Sequence, residues 1–199
     1  MALANYTDLV AAIGAWLNRA DLTAQIPDFI RLAEAEFNRS LRTMEMEARQ
    51  TATLTGDAIA LPTDYVGLRS IKIAQTTLEY VAPDMALDDE RTGTPTAYTI
   101  VDGQFFFRPA TTSGTVKIAY YAAIPALTSG SPTNWLMTKH PDLYLMASLA
   151  QAEFYGWNDK RLPLIKGRVD EIMAQIERDE VRTRFDGHRL VPTLATRPI

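Results

Sequence analysis

Apolar residues recur at helical spacing near both ends of the chain and at alternating spacing through its middle. Leu9, Val10, Ile13, Trp16 and Leu17 form one stripe, which predicts a helix from Thr7 to about Arg19. Thr7 is placed as its cap, and Asp8 in the first turn suits the positive end of the helix dipole. Beyond Ala20-Asp21-Leu22-Thr23, the residues Ile26, Ile30, Ala33, Phe37, Leu41 and Met44 step by three or four. They predict a second helix, with Arg31, Glu34, Glu36, Arg39 and Arg42 on the remaining surface. Pro27 falls in its first turn, where a missing N–H costs little. The short link predicts an antiparallel pair.

From about Arg49 the period drops to two. Thr51 to Thr55, the turn Gly56-Asp57 and Ala58 to Leu61 read as a hairpin. Leu61-Pro62-Thr63-Asp64-Tyr65 reads as a turn, and Leu68 to Ile73 as a strand with Ile71 and Ile73 on one face. Thr77 to Val81 is expected to be its partner, and Pro83 to Arg91 to hold a single helical turn. The clearest hairpin is Tyr98 to Val101, then Asp102-Gly103, then Gln104 to Arg108, because Asp-Gly accepts the positive φ angles of a tight turn. Val116 to Tyr121 adds a further strand. About six short strands predict a small antiparallel sandwich or barrel-like sheet.

Helical spacing returns after Thr128-Ser129-Gly130-Ser131-Pro132-Thr133-Asn134. A helix from Pro141 to about Trp157 is expected to bury Leu143, Met146, Leu149, Ala150 and Phe154. Another, from about Lys160 to Arg182, carries Leu162, Ile165, Val169, Ile172 and Ile176 as a short coiled-coil-like seam. Phe185 to Ile199 has no period and contains Gly187, Pro192 and Pro198. The expected fold is α+β: an antiparallel helical bundle from N- and C-terminal helices, an inserted antiparallel β-sheet region and an extended C-terminal tail. The expected boundaries are 1–48 and 128–184 for the two helix pairs, 49–127 for the β region and 185–199 for the tail.

Composition narrows the class. The 199 residues are 47% hydrophobic and 22% charged, enough to build a core without staples. There is no cysteine, which removes disulfides, thiol nucleophiles and thiolate zinc sites together. The net charge of −4 gives the molecule no overall attraction to nucleic acid. No apolar run approaches the ~20 residues of a membrane span. The N-terminus lacks a basic region and meets Asp8 early, so it does not read as a signal peptide.

Chemistry is sparse. His140, before Pro141-Asp142, is a candidate for helix capping, and His188 lies in the tail; neither belongs to an H-x-x-x-H pattern. Nucleophile-elbow, phosphate-loop and dinucleotide motifs are absent. Asp84, Asp88, Asp89 and Glu90 form the dense acid cluster, readable as a divalent-cation site of a hydrolase or as a solvated helix end. No catalytic residue and no cofactor is assigned. Phe105-Phe106-Phe107 cannot share one face of a strand, so part of the run is expected at the surface or in an interface. The C-terminal stretch combines Arg178, Arg182, Arg184, Arg189 and Arg197 with Phe185, Leu190, Val191, Leu194 and Ile199. It reads either as a solvated helix end or as a docking tail that orders on a partner.

Four groups of residues carry a family likeness. One runs from Tyr6-Thr7-Asp8-Leu9 through Ile26-Pro27-Asp28-Phe29-Ile30-Arg31-Leu32-Ala33-Glu34 to Asn38-Arg39 and Leu41-Arg42. Another is Leu61-Pro62-Thr63-Asp64-Tyr65 with Leu68-Arg69. The next comprises Pro95, Tyr98-Thr99-Ile100, Asp102-Gly103, Pro109, Tyr120-Tyr121 and Pro125-Ala126-Leu127-Thr128. The last is Thr133-Asn134-Trp135-Leu136, His140-Pro141-Asp142-Leu143-Tyr144-Leu145, Ala147-Ser148-Leu149 and Ala152. In this order the chain resembles the head–tail adaptor, or connector, proteins of tailed bacteriophages.

The resemblance implies a non-enzymatic virion protein of the neck, assembled in the host cytoplasm as a dodecameric ring under the portal protein. Its partners would be the portal, tail or nozzle proteins and further copies of itself. The genome DNA would pass through without specific binding, and no membrane is involved. Phe185, Arg189, Leu190, Val191, Leu194 and Ile199 are the expected portal-docking tail; Phe105, Phe107, Asp88 and Asp89 are the expected tail-facing residues of the β region. A tail-completion or tail-terminator protein is the structural alternative, and the hydrolase built on Asp84, Asp88, Asp89 and Glu90 is the alternative of another class.

Overall fold

The computed structural model describes residues 3–19, 21–54, 56–87, 90–111, 113–157 and 160–185. The chain opens with α1 (Tyr6–Leu17) and α2 (Ile26–Ser40), and a 3-10 turn, Met44–Met46, leads into the β region. Asn5, not Thr7, caps α1: its side chain accepts the backbone N–H of Asp8. Asn18 ends the helix in the left-handed conformation, a place where Asn is tolerated. Of the α1 stripe, Leu9, Ile13 and Leu17 are buried with Ala12, while Trp16 is half exposed. In α2, Ile26, Ile30, Ala33 and Phe37 are buried as expected, and so is Glu34, which was expected at the surface.

The middle region is two four-stranded sheets. The strands are β1 (Glu47–Leu54), β2 (Ala58–Ala60), β3 (Tyr65–Ile73), β4 (Thr76–Thr77), β5 (Glu79–Tyr80), β6 (Ala97–Val101), β7 (Gln104–Arg108) and β8 (Gly114–Ala122), with the short helix α3 (Pro83–Leu87) after β5. One sheet has the order β1-β8-β3-β4 and the other β2-β7-β6-β5. The Asp102-Gly103 hairpin forms as expected, with both residues at positive φ.

The hairpin expected at Gly56-Asp57 does not form. β1 pairs with β8, and β2 pairs with β7 in the other sheet. Asp57 directs the crossing: its carbonyl accepts the N–H of Phe107 at 2.9 Å, and its carboxylate takes Arg108 at 2.9 Å. The strand expected over Thr77 to Val81 is also split between sheets. Thr76–Thr77 pairs with β3, whereas Glu79–Tyr80 runs parallel to β6, so the second sheet is mixed rather than purely antiparallel. Buried Leu78 marks the crossing point.

The two sheets enclose one apolar cluster, in which Phe105 and Phe107 meet Ile71, Ile73, Val116 and Ile118. A second cluster gathers the helices. It joins α1 and α2 to α4 (Trp135–Lys139), α5 (Pro141–Tyr155) and α6 (Leu162–Phe185), together with Ile124 and Leu127 from the connection after β8. The segments before and after the β region thus share a single core.

α5 is buried on most of its circumference because α1, α2 and α6 all pack on it. Of its expected buried face only Leu143 and Leu149 are fully inside; Met146 and Ala150 are half-buried and Phe154 is 71% exposed. Tyr144, Leu145, Ala147 and Ala152 take their place in the core. In α6, Ile165, Val169, Ile172 and Ile176 are buried as the seam predicts. α4 was not foreseen; Asn134 caps it by accepting the N–H of Met137 at 2.8 Å.

Candidate functional site

The last turn of α6 is where the expected docking segment begins. Arg182 and Arg184 lie there, a favourable place for cations at a helix C-terminus. Arg184 donates through Nε to Glu180 at 2.9 Å and through Nη2 to Glu47 at 2.8 Å. Glu47 is the first residue of β1 and also pairs with Arg69 of β3. One carboxylate therefore ties the end of α6 to two strands of the first sheet. Each partly exposed pair contributes only about 0–1 kcal/mol, so the network positions the chain more than it stabilises the fold. Phe185 is the last residue of α6. Arg189, Leu190, Val191, Leu194 and Ile199 lie outside the described residues.

A buried polar network holds the connection from β8 to α4 against α2. Asn38 and Glu34 stand one turn apart on α2. The N–H of Ile124 donates to Asn38 Oδ1 at 2.8 Å, and that of Leu127 donates to Glu34 Oε1 at 2.7 Å. Tyr144 of α5 donates its hydroxyl proton to the same Glu34 oxygen at 3.1 Å. Asn134 Nδ2 donates to the Tyr144 oxygen and to the carbonyl of Pro125, each at 2.7 Å. Burial pushes the Glu34 carboxyl above its ordinary range, and the two donors hold it back in part. The periodicity carries a signal for this residue, since position 34 is four beyond Ile30 and three before Phe37 on the buried stripe.

Phe105 and Phe107 are not at a tail-facing surface of the subunit. Both are completely buried between the sheets, and Phe106, on the opposite face, is the half-buried member of the run. The Phe105 ring lies 5.8 Å from that of Tyr65 and 6.1 Å from that of Tyr98. Asp84 sits in the first turn of α3, while Asp88 and Asp89 lie outside the described residues. Among the described residues, no group of three or more His, Asp and Glu is placed to hold a metal ion. His140 stands at the N-cap of α5 without a side-chain capping bond, so its contribution to capping is its carbonyl, which accepts the N–H of Leu143. His188 is outside the described residues.

Large apolar side chains face solvent on the helical layer. Trp16, near the C-terminal end of α1, is half exposed, Phe154 and Tyr155 end α5, and Trp157 is 88% exposed just after it. Exposed apolar surface of this kind marks contact with other molecules more often than chance. No described helix is long and apolar enough to cross a membrane.

No curated protein matches the chain. A family model described as SU10 adaptor protein matches residues 4–191. That match takes in both apolar cores and every described helix and strand, so the chain belongs to the SU10 adaptor family of bacteriophage head–tail adaptor proteins.

Proposed function

We propose that the protein is a structural virion component that joins the capsid portal to the tail, forming a dodecameric ring around the DNA exit channel in the neck. The observation that carries this reading is the family match across residues 4–191. The helices before and after the β region act as one antiparallel bundle, the scaffold of each subunit. The β region points toward tail or nozzle proteins. The segment 185–199 leaves the pinned end of α6 and docks on the portal, its ordering cost offset by portal contacts. The subunits assemble in the host cytoplasm. An acidic chain, with net charge −4, suits a channel that lets DNA pass without holding it.

Electron micrographs of the protein mixed with its portal test the reading. A ring on the tail-proximal side of the portal is the expected result. Binding to tail tubes but not to portal would overturn it in favour of a tail-completion role. Deleting Phe185 to Ile199 should abolish portal attachment and leave the circular dichroism of the domain unchanged. Normal attachment by the truncated chain would overturn the assignment of that segment.

A further inference from the structure

We infer that the outer face of the β1-β8-β3-β4 sheet contacts the phosphate backbone of duplex DNA, without regard to base sequence. The ring reading above supplies the duplex, as the genome passing each subunit; the sheet supplies the surface. Strand register sets Thr51 of β1, Lys117 of β8, Lys72 of β3 and Thr77 of β4 opposite one another, along one line across the sheet. Residues directly opposite share a face, and all of these are exposed. The residues on either side of the two lysines, Ile71, Ile73, Val116 and Ile118, point the other way, into the core between the sheets.

The line is flanked by uncharged and basic positions. On one side Arg49 stands opposite Ala119, and Ala119 opposite Ser70; on the other Thr53 stands opposite Thr115. These positions bring Arg49, Lys72 and Lys117 together with hydroxyl groups and no carboxylate. The acid two residues before Arg49, Glu47, is already engaged by Arg69 and Arg184. Arg49, Lys72 and Lys117 have no ion pair or side-chain hydrogen bond among the described residues. Lysines directly opposite each other repel, and an anion between them relieves that repulsion. Beside Lys117 a cleft of about 600 Å³ opens, lined also by Gln75, Thr94, Thr111, Ser113 and Thr115, and it too lacks a carboxylate.

The residue types choose the ligand. Lysine is depleted and aromatic side chains are enriched where proteins bury one another, yet this face offers lysine and, of apolar residues, only Ala119. Lys, Arg, Ser and Thr are the side chains that hold DNA phosphates. Strands lie about 4.8 Å apart, so the line spans about 14 Å, the rise of about four base pairs. The rest of the molecule limits the attraction, because the whole chain carries a net charge of −4. The contact is therefore local and weak, which agrees with DNA that must still move.

Heteronuclear NMR of the full-length chain with a short duplex of mixed sequence tests this, because it reads weak binding residue by residue. At low salt the amide signals of Arg49, Thr51, Lys72, Thr77 and Lys117 should shift together, while those of α2 and α5 stay in place. Each neutralised phosphate contributes about −0.9 to the slope of log affinity against log salt, so three cations should give about −3. Lys72→Gln with Lys117→Gln should bring the slope to about −1 and weaken binding by roughly tenfold or more. Lys160→Gln with Lys166→Gln removes the same charge from exposed positions elsewhere and should leave slope and shifts unchanged. An equal loss in both double variants, or no shifts on the sheet, would overturn the inference. Shifts with polyglutamate but not with the duplex would overturn it in favour of an acidic protein partner. Micrographs with portal separate the levels: rings without shifts remove the DNA face alone, whereas shifts without rings keep the face and remove the ring reading.

Discussion

The backbone N–H of Leu127 donates to Glu34 Oε1 at 2.7 Å, across a sequence separation of 93 residues. This bond joins the exit of the β region to the helix that precedes it. It is largely shielded from water, since Glu34 is only 5% exposed.

Replacing Glu34 should therefore be costly. In Glu34→Ala the N–H of Leu127 and the hydroxyl of Tyr144 lose their shared acceptor, at about 1–3 kcal/mol by the cost of buried unpaired groups. Glu34→Gln keeps an acceptor oxygen and should lose less. Urea unfolding of the two variants beside the parent measures both.

Glu34 also sets a pH dependence. Burial raises its folded pKa above the ordinary value of 4.5. Between those two values the folded chain holds a proton that the unfolded chain has lost, so this residue's contribution falls as pH rises through the window. Its stabilising share is complete below about 4.5 and is gone above the folded pKa. Melting temperatures across that range should show a smaller decline with rising pH in Glu34→Gln than in the parent. An unchanged profile in the variant would remove Glu34 as the source.

Phe105→Ala should destabilise the sandwich by about 3–5 kcal/mol, the usual range for deleting a buried aromatic ring. The side chain is fully buried and touches both sheets through Tyr65 and Tyr98. If the ring instead acted at a partner surface, the variant would keep its stability and lose only tail attachment. Thermal unfolding in isolation separates the outcomes.

Ser148→Ala should hold or increase stability by up to about 1 kcal/mol. The Ser148 hydroxyl is buried on α5 without a hydrogen-bond partner among the described residues. Alanine removes that unpaired group and has the higher helix propensity. A clear loss of stability on substitution would show that the hydroxyl is satisfied after all.

Arg184→Ala should change global stability by less than about 1 kcal/mol, because its ion pairs are partly solvated. Its effect should be local. Backbone hydrogen exchange in the last turn of α6 should quicken, since the tether to Glu47 is lost. Unchanged exchange there would remove the pinning role.

The local elements were legible in the sequence wherever one periodic face meets one core. The α6 seam shows this: Ile165, Val169, Ile172 and Ile176 pack in one direction, so spacing alone exposes them. The Asp102-Gly103 hairpin was legible because two adjacent positive φ angles restrict the residue types that fit. The family likeness was legible in the same way, through short motifs held in order along the chain.

Tertiary structure decided the rest. Alternation announces a strand but does not name its partner, so only Asp57's bonds to β7 show that the chain changes sheets after β1. α5 defeats the single-stripe expectation because three helices surround it, leaving Phe154 outside and Tyr144 inside. Glu34 sits at a buried position that charge alone argues against, and only donors brought from beyond the β region make that burial tolerable. A sequence determines which face of an element is apolar; what covers that face, and which polar group can follow it inside, depends on neighbours that the chain supplies from far away.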